Sequence, residues 1–198
     1  AESIGSVFKN KHSGTFGDLG IISFNGNKTI TTGAGGAGII NKLKYRKIIN
    51  HLGTTSKIPH KWEYIHDKVG YNYKMSGLHA AVGIAQLSKI KAIISKKRKL
   101  YKKYYENFKK IKNIQILQEP KNCVSNYWLN TIILDSKTNK NKRDYVLDYL
   151  HNNKIFARPI WKPLYKLKMY QGCQRDNLEV CNDLEFRIIN IPSSSHLI

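Results

Sequence analysis

A short apolar run, Leu19-Gly20-Ile21-Ile22-Ser23-Phe24, stops at a stretch where Gly, Asn and Thr dominate, residues 25–38. The run carries β-branched and aromatic side chains and is too short for a helix. It reads as a buried strand of a parallel sheet. The stretch after it reads as loop and turn. A strand that runs out into such a loop points to an α/β chain, and open α/β sheets gather their ligands in the loops beyond the strand ends.

The rest of the pattern agrees with an α/β layer. Residues 37–41 suit a second strand and residues 42–52 a helix. Gly53 to Asn72 is irregular, broken by Pro59 and crowded with Trp62, Tyr64, His66 and Tyr71, with Tyr73 just beyond; in a polar loop such residues are either packed or functional. A long helical region follows. Leu78, Ala81, Val82, Ala85 and Leu87 fall near one helical face. Ala92 to Ile111 predicts a Lys-rich amphipathic helix with Ile93, Ile94, Leu100, Tyr104 and Phe108 on its apolar side, and the Lys run reads as its solvated face. Beyond it, residues 126–134 suit a strand, 142–152 a helix and Asp176–Ile188 another helix, which together make a smaller α/β unit. The domain boundary is expected within the long helix, giving domains 1–105 and 106–198.

The chain has 34 basic and 13 acidic residues, a formal charge of +21. Such a balance raises nucleic-acid binding. Two features speak against it as the main function. The basic residues are mostly Lys, whereas Arg is the preferred base reader. Lys, Asn and Ile together supply roughly a third of the chain, a bias that needs no polyanion to explain it. A nucleoside diphosphate as substrate is equally compatible with the charge. Cys123, Cys173 and Cys181 form no metal-binding spacing and read as free thiols of a reducing compartment. The seven histidines make no His-x-x-x-His pattern, so no metal is expected. No apolar run has the length of a membrane span, and no membrane partner is expected. Cytoplasm is the expected location.

Lys28 stands out by position. It follows the apolar run in a loop of small polar residues, where a shielded amine can condense with an aldehyde. Ser23, five residues earlier, could donate its hydroxyl to a phosphate. Other phosphate and hydrolase motifs fail. Gly26-Asn27-Lys28-Thr29 lacks the upstream Gly and the Gly-Lys adjacency of a P-loop. Gly14 to Gly20 does not match a dinucleotide fingerprint, and Thr54-Thr55-Ser56-Lys57 is not a Ser-x-x-Lys site.

Four linked blocks carry a resemblance. They are Ala1-Glu2-Ser3-Ile4-Gly5-Ser6, then Gly14-Thr15-Phe16-Gly17-Asp18-Leu19-Gly20, then Ser23-Phe24-Asn25-Gly26-Asn27-Lys28, then Thr31-Thr32-Gly33 with Gly35-Gly36. In order and spacing this resembles the cofactor-lysine segment of the DegT/DnrJ/StrS family of sugar aminotransferases. Gly70-Tyr71-Asn72-Tyr73-Lys74-Met75, with Ala80-Ala81 and Gln86-Leu87, resembles a second block of that family. Within it, His60-Lys61-Trp62-Glu63-Tyr64, Asn126-Tyr127-Trp128-Leu129-Asn130, Arg158-Pro159-Ile160-Trp161 and Ile191-Pro192-Ser193-Ser194 are similar to the legionaminic acid type.

The resemblance implies a fold-type-I pyridoxal phosphate transferase, of which this chain would be the C-terminal part: a partial large α/β/α domain and a small α/β C-terminal domain. It implies pyridoxal 5'-phosphate as cofactor and a homodimer with shared active sites. Lys28 would hold the cofactor aldehyde, Ser23 its phosphate, and Glu2 would lie beside it. Asn72 would reach the phosphate of the partner subunit. Lys74 stands where the family usually has Arg. Arg158 and Lys162 would hold a substrate diphosphate and Trp161 would cover sugar or base. The implied reaction is transamination of a nucleotide-linked 4-keto-6-deoxy sugar, with glutamate as amino donor, in cell-surface polysaccharide biosynthesis. Family dehydratases carry His in place of the lysine, so Lys28 argues for the aminotransferase. The family's Asp for the pyridinium nitrogen would precede Ala1, so the chain is expected to be a fragment lacking part of the site. The alternative reading is an inactive fragment or a basic binding module without catalysis.

Overall fold

Antiparallel pairing, set up by glycines, organises the first part of the chain. The computed structural model describes residues 1–198, which divide into two compact units. The first comprises Ala1–Ile94 with Pro120–Asn126 and the second Ser95–Glu119 with Tyr127–Ile198. In chain order the strands are β1 (Val7–Phe8), β2 (Lys11–His12), β3 (Leu19–Ser23), β4 (Gly36–Ile40), β5 (Lys57–Ile58), β6 (Ile65–His66), β7 (Ile114–Ile116), β8 (Cys123–Val124), β9 (Asn130–Leu134), β10 (Arg158–Pro159) and β11 (Ile188–Ile191). The helices are α1 (Lys44–Gly53), α2 (Gly77–Ser88), α3 (Ile90–Phe108), α4 (Lys140–Asn152) and α5 (Glu179–Leu184).

In the first unit β3 and β4 form a hairpin in full register from Leu19↔Ile40 to Ser23↔Gly36. This corrects the expectation of a buried parallel strand. Strand direction is set by the partner, and here the chain returns at once. Gly33 and Gly35 take left-handed conformations, φ +84° and +86°, which reverse the backbone at little steric cost. A side chain at Gly36 would meet the Ile22 carbonyl at 2.4 Å, so only glycine fits there. Leu19 and Ile21 are exposed. β8 returns to pair with β1, Val7↔Val124 and Phe8↔Cys123, antiparallel like β1 and β2. The core of this unit is Ile4, Phe24 and Ile30, with Ile22, Met75, Ile90 and Ile93 packed against it. α2 begins on Ser76, whose hydroxyl accepts from the His79 N–H in an N-cap. Its apolar residues Leu78, Val82, Ile84 and Leu87 are exposed.

The second unit is a four-stranded antiparallel sheet in the order β10-β11-β9-β7. Its core of Ile132, Leu134, Ala157, Ile189 and Ile191 packs against Tyr104 and Phe108 of α3 and Val146, Leu147 and Leu150 of α4. The expected helix over Asp176–Ile188 is cut short. Only Glu179–Leu184 is helical, and Ile188 opens β11, which is paired on both sides. The Ile-rich run fits a pleated, fully buried surface, and pairing with β9 and β10 overrides the helical pattern. The strand expected over 126–134 begins only at Asn130, because Tyr127 adopts φ +45° and breaks the extended backbone. No helix is long and apolar enough to cross a membrane.

The Lys face of α3 has one exception. Lys97 lies on the stripe shared with Leu100, Tyr104 and Phe108 and is 5% exposed. Its ammonium donates to the carbonyls of Trp128, at 3.3 Å, and Ser193. No carboxylate pairs with it in those bonds, and burial pushes its pKa down to about 8 from 10.5. A depressed lysine pKa means that the unfolded chain binds more protons between those two values. Stability contributed at this site is therefore reduced below pH 8 and recovers as the pH rises toward 10.5. Relative to Lys97→Met, the wild type is expected to gain about 2–3 kcal/mol of unfolding free energy across that interval in denaturant titrations; parallel curves would remove the buried charge from the account.

Candidate functional site

The ends of the loop between β3 and β4 are buried while its crown is not. Phe24 is 8% and Ile30 1% exposed, so residues 25–29 form an arch pinned at both feet. Backbone bonds close it. The Phe24 carbonyl accepts from the Thr32 N–H at 3.0 Å and from the Thr31 hydroxyl at 2.9 Å, and the Lys28 N–H donates to the Asn25 carbonyl at 3.0 Å. Lys28 sits on this arch with only 11% of its side chain exposed, and its Nζ lies 2.5 Å from a Glu2 carboxylate oxygen. The hydrogen bond from Lys28 is the main cause that holds the Glu2 carboxyl below the usual carboxylate range. Ser23 joins the same cluster. Its N–H donates to the Ala1 carbonyl at 3.1 Å, and its hydroxyl oxygen accepts from the Asn25 N–H at 3.3 Å. Side chains placed at Gly26 or Gly33 would meet nothing within 4 Å, so space is open beside the arch.

Glu2, Ser23 and Lys28 are thus brought together by the structure. Asn72 and Lys74 lie elsewhere in the same unit, on an exposed extended segment. Asn72 bridges to Thr54 in an isolated antiparallel pair, and its neighbours Tyr71 and Tyr73 stack with ring centroids 5.1 Å apart. No hydrogen bond joins Asn72 or Lys74 to the Lys28 cluster. In the second unit, Arg158 sits on the edge strand β10, and Trp161 and Lys162 follow it on an exposed stretch. Trp161 is 65% exposed and stacks on Trp128 at 6.1 Å between ring centroids. One residue with contacts to the Lys28 cluster escaped sequence reasoning as a site residue. Asn126 donates to the Glu2 carbonyl and to the Thr29 hydroxyl from 124 and 97 positions away. Its block was matched by resemblance, but no local pattern pairs it with Glu2 or Thr29.

Helicobacter pylori PseC, an aminotransferase involved in the biosynthesis of pseudoaminic acid, superimposes on 100% of this chain and 54% of its own with a TM-score of 0.92 at 24% identity. That likeness shows the fold, a mixed α/β chain. The chain belongs to the DegT/DnrJ/EryC1/StrS aminotransferase family, which it matches over residues 1–198. A Bacillus subtilis (strain 168) relative, EpsN, named as a candidate pyridoxal phosphate-dependent aminotransferase, is 36% identical over 201 residues, 100% of this chain and 51% of that protein. The GDP-perosamine synthase of Escherichia coli O157:H7 is 36% identical over 194 residues, 98% of this chain and 51% of that protein. The chain spans about half the length of the relatives it matches.

The electrostatics of the pair give an acid-side test. The Glu2 carboxyl is depressed in the folded protein, so its pairing contributes stability above a pH of about 4.5 that is lost as the pH falls through the depressed value. The wild type is expected to exceed Glu2→Gln in unfolding free energy at neutral pH, with the gap closing on acidification. Glu2 is 45% exposed, so solvent screening keeps the gap small. A gap that is constant with pH would show that the pair does not form in solution.

Proposed function

We propose that this chain carries the cofactor lysine and part of the substrate site of a pyridoxal 5'-phosphate-dependent aminotransferase acting on a nucleotide-linked 4-keto-6-deoxy sugar. The observation that carries the reading is Lys28 itself, its Nζ 2.5 Å from Glu2 on an arch clamped by Phe24 and Ile30. The residues present fit the cofactor. An amine faces a carboxylate, a serine hydroxyl stands at the arch's foot, and the space beside Gly26 and Gly33 is open. When bound, pyridoxal 5'-phosphate supplies an electron sink for the carbon from which a proton is removed.

The chain's own residues supply binding and proton handling. Lys28 holds the cofactor through Nζ and, once released, takes and returns a proton at that nitrogen as general base and acid. Glu2 holds the amine in place between these roles. Ser23 donates its hydroxyl to the cofactor phosphate, and Asn72 donates its side-chain amide to the phosphate in the partner subunit of a homodimer. Arg158 and Lys162 offer cationic groups to the substrate diphosphate, and Lys74 is a further substrate-binding residue. Trp161 offers an exposed indole face to the sugar or base. Glutamate is the amino donor in this reading, and the enzyme works in the cytoplasm in the synthesis of cell-surface polysaccharide sugars. The names of EpsN and of the perosamine synthase, both at 36% identity, support the reaction class.

Borohydride reduction of the cofactor-loaded whole protein, followed by peptide mass mapping, is expected to place the pyridoxyl label on Lys28. Lys28→Ala is expected to lose the label and to lower turnover about 1,000-fold or more. A label on any other lysine would overturn the assignment.

A further inference from the structure

The Glu2–Lys28 pair rests on a third side chain. Asn126 follows β8 and is 4% exposed. Its amide nitrogen donates to the Glu2 carbonyl at 2.7 Å and to the Ile4 carbonyl at 2.9 Å, and it lies 3.3 Å from the Thr29 hydroxyl oxygen. Its backbone N–H donates to the Ser6 hydroxyl oxygen at 3.0 Å. One buried amide therefore touches both sides of the pair: the segment that presents Glu2, and the residue next to Lys28.

The chemistry singles out asparagine. The two N–H groups of a primary amide share one nitrogen and can serve acceptors on two segments at once. Aspartate has the same shape and, ionised, no donor. Leucine has a similar size and no polar atom. Either would leave the Glu2 and Ile4 carbonyls without this donor, and buried acceptors left unpaired are costly. Other contacts of the Glu2 segment act on its neighbours, through the Ala1 carbonyl to Ser23 and the packing of Ile4 against Phe24 and Ile30. Asn126 is the donor to the Glu2 backbone itself.

We propose that Asn126 is a positioning residue that sets the Glu2 carboxylate against Lys28 Nζ and so controls how available the lysine is. The proposal rests on the reading of Glu2 and Lys28 as a working pair and extends it to a residue distant in sequence.

The test is competitive acylation of the cofactor-free whole protein with a small anhydride. Lys28 labelling is measured by peptide mass against exposed lysines such as Lys168 in the same sample. Glu2→Gln is expected to raise the relative rate at Lys28 about five-fold, the scale of a partly exposed ion pair. Asn126→Asp and Asn126→Leu are each expected to give the same rise, and Glu2→Gln with Asn126→Asp no more than Glu2→Gln alone. Thr29→Val, which removes the contact of the Asn126 amide with the Thr29 hydroxyl and spares the core, is expected to give about a two-fold rise. It decides the matter if the Asn126 variants do not fold. A rise with Glu2→Gln but wild-type labelling in folded Asn126→Asp or in Thr29→Val overturns the positioning role and leaves the pair standing. No rise with Glu2→Gln overturns the pair, and the positioning role with it. A uniform rise at all lysines in the Asn126 variants marks general loosening and also counts against the proposal.

Discussion

Phe24 and Ile30 are the two feet on which the Lys28 arch stands. Both are buried with Ile4, and that cluster places the Glu2 segment under the arch. Burial of this kind is worth a few kcal/mol per side chain, and a loop fixed at both ends loses little further entropy when its crown is used. Apolar packing therefore brings the Glu2 segment to the arch, and the polar contacts that set the carboxylate act within that frame. The ion pair is partly exposed and could not organise the loop by its own strength.

Two lysines of this strongly basic chain show what environment does to one charge. Lys28 is largely shielded and faces a carboxylate. Lys97 is more deeply buried, donates to backbone carbonyls, and its affinity for a proton falls. The first arrangement keeps the amine in a defined place at the edge of open space. The second fixes the Trp128 and Ser193 backbones within the second unit, where Trp128 also stacks on the exposed Trp161. Chemistry is proposed at the first. The second is structural, and its location inside a Lys-rich helix explains why composition alone could not find it.

The α/β class and the helices α1, α3 and α4 were legible because amphipathic periodicity is local. Lys28 was legible as a lysine placed just past a strand, and the linked glycine blocks carried the family. The direction of β3 was not legible. An apolar run states that it suits a sheet and neither which neighbour it will pair with nor how deeply it will lie, and Leu19 and Ile21 are exposed. The helix expected over Asp176–Ile188 ran into β11 because the strand character of Ile188 depends on β9 and β10, both supplied from elsewhere in the chain. Asn126 could not be read as part of the site because its partners Glu2, Ile4 and Thr29 lie about a hundred positions away.

In the proposed function Lys28 holds the cofactor while Glu2 holds Lys28. A crystal structure of the whole protein grown with pyridoxal 5'-phosphate tests it most directly. Continuous electron density is expected from Lys28 Nζ to the cofactor, with the Ser23 hydroxyl within hydrogen-bonding reach of its phosphate. Cofactor attached to a different lysine, with Lys28 still paired to Glu2, would contradict it.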